Sequence, residues 1–293
     1  MKQRKHEEDY VKLASFLYTK RFREEFGHDV SGVLFNKYLT LLNYESKEKR
    51  NIDIGLAHCW YRWGDVVVRQ SLPYTRWTHS DLNLTQVTFT GKEPDPVAGD
   101  PVFGHITEFT EQFIRRYRDD REGVESAVDD IYTRAPLDFQ RDYKKFRESL
   151  KISRENIPYD NVNDYLRGLF ATAMDSFPQG FRNIRGQKNA FSAVFAYAID
   201  NNVPADDLFD IAEDFWFFFC YHLRVRYNEN VAPSIIDGWK NSLDLETRRY
   251  DASIQNYAYE FCRDSRNPVI QGLIESRAER LNELDALMKG LDW

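Results

Sequence analysis

The chain has 293 residues, of which 42% are hydrophobic, 15% aromatic and 30% charged, and its formal net charge is −7. Disordered chains are poor in aromatic residues, so this composition excludes long disordered stretches, and the length allows one large domain or two ordinary ones. With only 14 Gly and 10 Pro, turns are few, which favours long helices.

No stretch of the sequence approaches the roughly 18 consecutive apolar residues of a membrane span. No apolar segment follows the charged N-terminus as it would in a secretory signal. Cys59, Cys220 and Cys262 are far apart, which is typical of reduced thiols and not of a disulfide framework or a zinc site. We therefore expect a cytoplasmic protein without a membrane partner.

Charge is unevenly distributed along the chain. Residues 1–92 carry 15 Lys or Arg against 11 Asp or Glu, a net charge of +4, whereas residues 93–293 carry 25 against 36, a net charge of −11. A basic N-terminal part on an acidic body indicates a surface that could face nucleic acid. A chance fluctuation among surface charges is the alternative.

The N-terminal half combines helices with short strands. Apolar residues at helical spacing predict a first helix over about residues 7–26, ended by Gly27, and a second one that begins near Ser31. The β-branched run 66–68 and the alternating segment 84–90 predict one or two short strands, and a Pro-rich loop follows. These parts are typical of a winged-helix module and also of other small α+β domains.

Helical spacing dominates from residue 105 onward, and Pro136 marks the start of one further helix. The polar stretch 151–163 contains Pro and Asn and predicts a domain boundary. We therefore predict a mainly α protein. Its N-terminal winged-helix-like α+β domain spans residues 1–150, and a C-terminal, all-helical bundle spans residues 151–293.

Two helices of the second half have informative patterns. The helix predicted from Pro204 onward has no polar face after Asp214, so we expect it to be the central helix of the bundle, with Trp216 and Phe219 fully buried. The last helix carries apolar residues at heptad spacing, which predicts contact with a protein partner, with a second copy of the chain or with the home bundle. The heptad positions are Ile270, Ile274, Leu281, Leu284, Met288 and Leu291.

Motifs for common cofactors and catalytic machinery are absent. The sequence contains no phosphate-binding loop, dinucleotide fingerprint, zinc-protease, serine-hydrolase or kinase motif, and no two of its histidines are four residues apart. Asp207, Asp210 and Asp214 share a helical face that could hold a divalent cation. Acidic residues near a helix N-terminus also stabilise the helix dipole, and we favour this interpretation. We expect no metal and no cofactor, and we assign no catalytic residue.

Arginine and aromatic residues alternate near a predicted turn, and they form a candidate nucleic-acid interface. Guanidinium groups contact phosphates, and aromatic rings stack on bases or sugars. The alternative is that the tryptophans Trp60 and Trp63 belong to the core and that Arg62 pairs with Asp65. The candidate residues are Arg62, Trp63, Arg69, Arg76 and Trp77. We predict that the three arginines lie on one surface.

A second cationic group lies in a predicted loop between Gly180 and Gly186 that leads into a helix. Backbone amides at a helix N-terminus, together with Arg182, Arg185 and Lys188, could bind an anion such as phosphate. The alternative is an ordinary loop between helices with solvated charges.

Three segments of the chain together resemble a known family. They are the apolar helix around residues 34–42, the motif Tyr-Arg-Trp-Gly at 61–64, and the segment 128–136, which begins Val-Asp-Asp-Ile-Tyr. Through them, residues 28–140 are similar to the Panacea (SocA-like) antitoxin domain. Asp65 stands where the family has Pro after the Gly, and the family's late Thr-His and Pro-Trp elements are not matched. The resemblance implies a non-enzymatic binding role, such as neutralising a toxin or acting in phage defence.

Two classes of function remain. We favour a non-enzymatic binding or regulatory protein that uses its basic N-terminal half on nucleic acid or its helices on a protein partner. The alternative is an enzyme that acts on nucleic acid or a nucleotide, with its anion site at Arg182, Arg185 and Lys188.

Overall fold

The computed structural model describes residues 2–79, 85–94, 100–118, 121–155 and 162–290. Within these ranges, ten α-helices and six short strands make the protein mainly helical, which confirms the predicted class. Among the described residues, no helix has both the length and the apolar character that a membrane crossing requires.

Contacts divide the chain into two compact units. The first unit consists of Met1–Ala135 and Leu223–Gly238, and the second consists of Pro136–His222 and Trp239–Trp293. Each unit therefore contains two separate stretches of the chain.

Four helices build the first unit. The first of them ends where the sequence predicts, because Gly27 adopts a φ of +77° and its N–H donates to the carbonyl oxygen of Arg23 at 2.9 Å. Ser31 caps the second helix by accepting a hydrogen bond from the backbone N–H of Leu34 at 3.3 Å. The helices are α1 (Lys2–Phe26), α2 (Gly32–Arg50), α3 (Pro101–Arg116) and α4 (Arg121–Tyr132).

The first unit also contains two three-stranded antiparallel sheets. The strands are β1 (Val30–Ser31), β2 (His58–Tyr61), β3 (Gly64–Val67), β4 (Thr75–His79), β5 (Thr85–Phe89) and β6 (Asn228–Glu229). Their orders are β1-β5-β4 and β3-β2-β6. The second sheet is completed by a strand from far along the chain, since Glu229 pairs with His58.

Six further helices follow along the chain. They are α5 (Asp138–Glu155), α6 (Val162–Asp175), α7 (Arg185–Asp200), α8 (Ala205–Arg226), α9 (Pro233–Phe261) and α10 (Pro268–Gly290). The last residues of α8 and the first residues of α9 are part of the first unit.

The compact units differ from the predicted domains 1–150 and 151–293. Helix α5 runs through the predicted boundary, and the polar residues that suggested a linker are in part the exposed end of this helix, where Ile152 has 64% of its surface exposed. The return of residues 223–238 to the first unit is a long-range contact, for which local composition carries no signal.

An aromatic cluster forms the core of the first unit. Tyr18 of α1 stacks on Tyr38 of α2 with ring centroids 4.0 Å apart, and Phe113 of α3 contacts both rings edge-on. All three side chains are buried. This packing fixes the position of α2, which carries several residues of the site described below.

The core of the second unit surrounds α8. Trp216 and Phe219 are fully buried, as predicted. Tyr143 of α5 stacks on Trp216 with ring centroids 5.3 Å apart, and Phe139 contacts Phe219 edge-on at 4.8 Å. Phe217 is only half-buried, so the expectation that this end of the helix is buried on nearly all sides is wrong for this residue, which lines a cavity.

Helix α10 packs on its own unit near its N-terminal end. It contacts α7, and Ile270 is fully buried. Leu281, farther along, has 43% of its surface exposed. The side chains of three predicted heptad positions lie outside the described residues: Leu284, Met288 and Leu291. The home unit therefore covers the first part of the heptad surface, and an intermolecular contact of the last part stays a prediction.

Candidate functional site

The hairpin of β2 and β3 carries the first two residues of the predicted interface. Arg62 and Trp63 form its two-residue turn, because Tyr61 and Gly64 are the last paired residues of the two strands. Trp63 has 52% of its surface exposed, and the Arg62 guanidinium lies 5.8 Å from the centroid of its ring. Trp63 is therefore a surface residue, whereas Trp60, which is 6% exposed, belongs to the core.

A fully buried lysine holds this turn in place. Lys37 of α2 donates from Nζ to the backbone carbonyl oxygen of Trp63 and to that of Asp65, the latter at 3.2 Å. Burial lowers the pKa of Lys37 to about 7, although the Asp65 carboxylate opposes this shift. An amine retains N–H donors in both protonation states, so the turn stays anchored on either side of this pKa.

Asp65 is completely buried and is the centre of a polar network. Its Oδ2 lies 2.7 Å from Nδ1 of His58 and accepts a hydrogen bond from the Tyr44 hydroxyl at 2.5 Å. On the other side of the imidazole ring, Nε2 lies 3.1 Å from a carboxylate oxygen of Glu229, which also forms an ion pair with Lys47 at 2.5 Å. The network links α2, both strands of the hairpin and β6.

Two carboxylates decide the protonation state of His58. Burial by itself would lower the pKa of His58, but Asp65 and Glu229 together outweigh burial and raise this pKa to about 9. The hydrogen bond from His58 in turn lowers the pKa of Glu229 to about 2, and Lys47 lowers it further. The imidazole is therefore protonated at neutral pH and does not serve as a general base. We interpret the network as structural.

The network predicts a stability that depends on pH. The pKa of His58 is about 9 in the folded protein against an ordinary 6.5, so its contribution is complete below about pH 6.5 and is lost as the pH rises through about 9. The pKa of Glu229 is about 2 against 4.5, so its contribution is present above about pH 4.5 and is lost as the pH falls through about 2. We expect the difference in melting temperature between the wild type and Glu229→Gln to be largest between about pH 4.5 and 6.5 and to shrink towards pH 9.

Thermal melts over this pH range check the expectation, and Glu25→Gln is the matched control. Glu25 is exposed, so its replacement should change the melting temperature little at any pH. A difference between the wild type and Glu229→Gln that stays constant from about pH 5 to about pH 9 would show that the charge of His58 does not contribute to the stability of the fold.

The other predicted interface residues lie at and before β4, in the other sheet. The Arg69 guanidinium lies 4.4 Å from the centroid of the Trp77 ring, which is half-buried. Arg76 precedes Trp77 on β4, so its side chain is on the opposite face of the strand. It is exposed and has no ion-pair partner among the described residues. The structure thus brings Arg69 together with Trp77 and Arg62 together with Trp63. That the three arginines share one surface stays a prediction.

The predicted anion site lies at the start of α7. The sequence predicts a loop here, but Arg182–Ile184 form a short 3-10 helix and α7 begins at Arg185. Gly186 lies inside the first turn of α7. Arg185 and Lys188 are therefore neighbours on one helical face. Arg182 and Arg185 are exposed and Lys188 is half-buried, and none of the three has an ion-pair partner in the described part of the chain.

The acidic residues of α8 do not form a metal site within the described residues, where no group of three or more His, Cys, Asp or Glu could hold a metal ion. Asp214 instead accepts hydrogen bonds from the hydroxyls of Ser253, at 2.8 Å, and Tyr257, at 3.0 Å.

The residues that hold the hairpin, Lys37 and Glu229, were not predicted from the sequence. Lys37 had a usable signal, because a charged residue lies on the apolar face of α2 between Leu34 and Leu41. For Glu229 the sequence contained no usable signal, because its partner His58 is 171 residues away.

Comparison of this chain with protein-family models, with curated proteins and with solved structures finds no match. We therefore infer function from the geometry of the hairpin and from the residues around it.

Proposed function

We propose that the protein is a non-enzymatic binding or regulatory protein that binds nucleic acid through the β2–β3 hairpin and the neighbouring arginines. The observation that carries this proposal is the exposed Trp63 on a turn whose backbone is held by the buried Lys37. Placing a lysine in the interior costs free energy, and an ordinary surface turn does not require it. The anchor therefore supports a role that depends on the position of Trp63.

The chemistry of the turn suits nucleic acid. An exposed indole offers a flat face on which a base or a sugar can stack, and an adjacent guanidinium can contact a phosphate. Arg69 and Arg76 add two exposed cations to the half-buried Arg62, and residues 1–92 carry a net charge of +4. In this proposal the first unit is winged-helix-like, and the strand pair β4 and β5 is its wing.

The resemblance to the Panacea domain gives the proposal a biological setting. Two of the quoted segments are adjacent: a side chain in place of Gly64 would approach Ile131 within 3.1 Å, and Trp60, which directly precedes the motif at 61–64, packs edge-on against Tyr132 at 5.9 Å. Gly64 also has a φ of +89°, a conformation that favours glycine. The two segments that carry the resemblance are therefore adjacent in the fold, and the role that the resemblance implies is toxin neutralisation or phage defence.

Trp63→Ala should weaken binding of a labelled oligonucleotide by about 5- to 150-fold, because stacking of one base on an aromatic ring contributes about 1–3 kcal/mol. Trp63→Phe retains an aromatic face and should lose much less affinity. Fluorescence anisotropy with single-stranded and duplex DNA and RNA measures both variants. If the wild type binds none of these, the nucleic-acid proposal is wrong, and a protein partner becomes the remaining candidate for the turn.

The alternative function is an enzyme acting on nucleic acid or a nucleotide, with its anion site at the start of α7. The observation that favours it is the group of Arg182, Arg185 and Lys188, which lack ion-pair partners among the described residues and lie where a helix N-terminus attracts anions. Turnover of an oligonucleotide or nucleotide that Arg185→Ala abolishes would support the enzyme, and binding without turnover would support the first proposal.

A further inference from the structure

The second unit contains a cavity of about 130 Å³ that is lined by residues of α8 and α9. Four of its eight lining residues are aromatic, and two of them, Phe218 and Tyr250, are stacked with their centroids 4.6 Å apart and their planes 16° apart. The aromatic residues of the wall are Phe217, Phe218, Tyr221 and Tyr250. Four rings at one small cavity provide several faces that carry partial negative charge.

The carboxylate of Asp214 also lines the cavity, and two hydrogen bonds fix its orientation. Oδ2 of Asp214 accepts hydrogen bonds from the hydroxyls of Ser253 and Tyr257, both on α9, whereas Oδ1 has no hydrogen-bond partner among the described residues. The two hydroxyls hold Oδ2 and so restrict the rotation of the carboxylate, which lines the cavity.

The charges of the cavity favour a cation. The carboxylates of Asp214 and Glu246 outnumber the single guanidinium of Arg249. Arg249 is exposed and forms no ion pair with either acid within the described residues. Mg²⁺ and Ca²⁺ take about six or more oxygen ligands, whereas the cavity offers two carboxylates, and no group of three or more His, Cys, Asp or Glu among the described residues could hold a metal ion.

We propose that this cavity binds a small organic cation, such as an alkylammonium or a quaternary ammonium group. The aromatic faces attract the cation electrostatically, and Asp214 is its counter-ion. The volume is close to the roughly 150 Å³ of a cavity that holds benzene, so the cavity fits one such group and not a nucleotide. The site is independent of the nucleic-acid interface proposed above, whose residues lie in the first unit.

Choline and its neutral isostere 3,3-dimethyl-1-butanol test the proposal, because they have nearly the same shape and differ in charge. Isothermal titration calorimetry on the full chain should show choline binding at least about tenfold more tightly than the alcohol. No detectable choline binding by the folded wild type, or equal affinity for the two compounds, would overturn the proposal.

Two variants of α8 locate the site. Asp214→Asn removes the charge but keeps an oxygen acceptor for Ser253 and Tyr257, and it should weaken choline binding by about tenfold. Asp210→Asn makes the same change one helical turn earlier, at an exposed residue outside the cavity wall, and should leave binding unchanged. Equal effects of the two variants would mean that the contribution of Asp214 is only a general charge effect, and the proposal would be wrong.

A change in the wall tests the aromatic contribution without altering charge. Phe217→Leu keeps an apolar side chain at a half-buried position and should weaken choline binding by about threefold while leaving the affinity for the alcohol unchanged. This comparison also decides the proposal if Asp214→Asn does not fold. An unchanged affinity of Phe217→Leu for choline would then contradict it.

Discussion

Trp216→Ala is expected to lower the free energy of unfolding by about 3–5 kcal/mol. Trp216 is fully buried, it stacks on Tyr143, and the Arg147 guanidinium lies 5.4 Å from the centroid of its ring. Truncation to alanine removes these contacts and leaves a cavity that the surrounding aromatic side chains of α5 and α8 fill only in part. Chemical denaturation measures the loss.

Trp63→Ala is the matched control for this prediction, because it makes the same chemical change at a side chain that is 52% exposed. It should lower the free energy of unfolding by less than about 1 kcal/mol. Similar losses in the two variants would contradict the assignment of Trp216 to the centre of the second unit.

Asp65→Ala is the second substitution with a large expected effect, about 3–5 kcal/mol of the free energy of unfolding. The variant leaves the protonated His58 without its buried partner and leaves the Tyr44 hydroxyl without its acceptor. The backbone carbonyl oxygens that Lys37 binds remain in this variant, so the loss reports on the network around His58. Denaturation monitored by the tryptophan fluorescence of the chain measures this effect.

Asp244→Ala provides the comparison for Asp65→Ala. Asp244 is exposed on α9, so its replacement should change the free energy of unfolding by less than about 0.5 kcal/mol. A loss for Asp65→Ala that is no greater than this would mean that the buried network does not stabilise the first unit.

Most helices could be predicted from the sequence because each has an apolar stripe and an end signal. The first helix ends at Gly27 and the second begins at Ser31, as their residue types indicate. Helix α9 was missed because its buried residues, Tyr250, Ile254 and Ala258, are confined to its second half. The first half does carry apolar residues at helical spacing, Ile236, Trp239 and Leu243, but they are only half-buried.

Strands were harder to predict than helices. The two residues of β6, Asn228 and Glu229, have low strand propensity, and they are extended because they pair with β2. The same pairing places Glu229 beside His58. Tertiary contacts therefore determine both the strand and the buried network, and the local sequence contains no signal that predicts either of them.

The candidate interface could also be predicted only in part from the sequence. The alternation of arginine and aromatic residues predicted a surface group, and Trp63 is indeed exposed. The sequence did not distinguish Trp63 from the buried Trp60, because Trp60 lies on β2 and Trp63 lies in the turn, whose position depends on the pairing of Tyr61 with Gly64. The loop predicted around Arg185 is helical because packing of α7 outweighs the helix-breaking tendency of Gly186.

The salt dependence of nucleic-acid binding is the most direct test of the proposed interface. The logarithm of the binding constant falls linearly with the logarithm of the salt concentration, with a slope of about 0.7–0.9 for each neutralised phosphate. We expect the variant with Arg62, Arg69 and Arg76 all changed to Ala to lose about 2–3 from the slope of the wild type. The variant with Arg182, Arg185 and Lys188 changed to Ala should retain it. An unchanged slope in the first variant, or a loss confined to the second, would contradict the proposed interface.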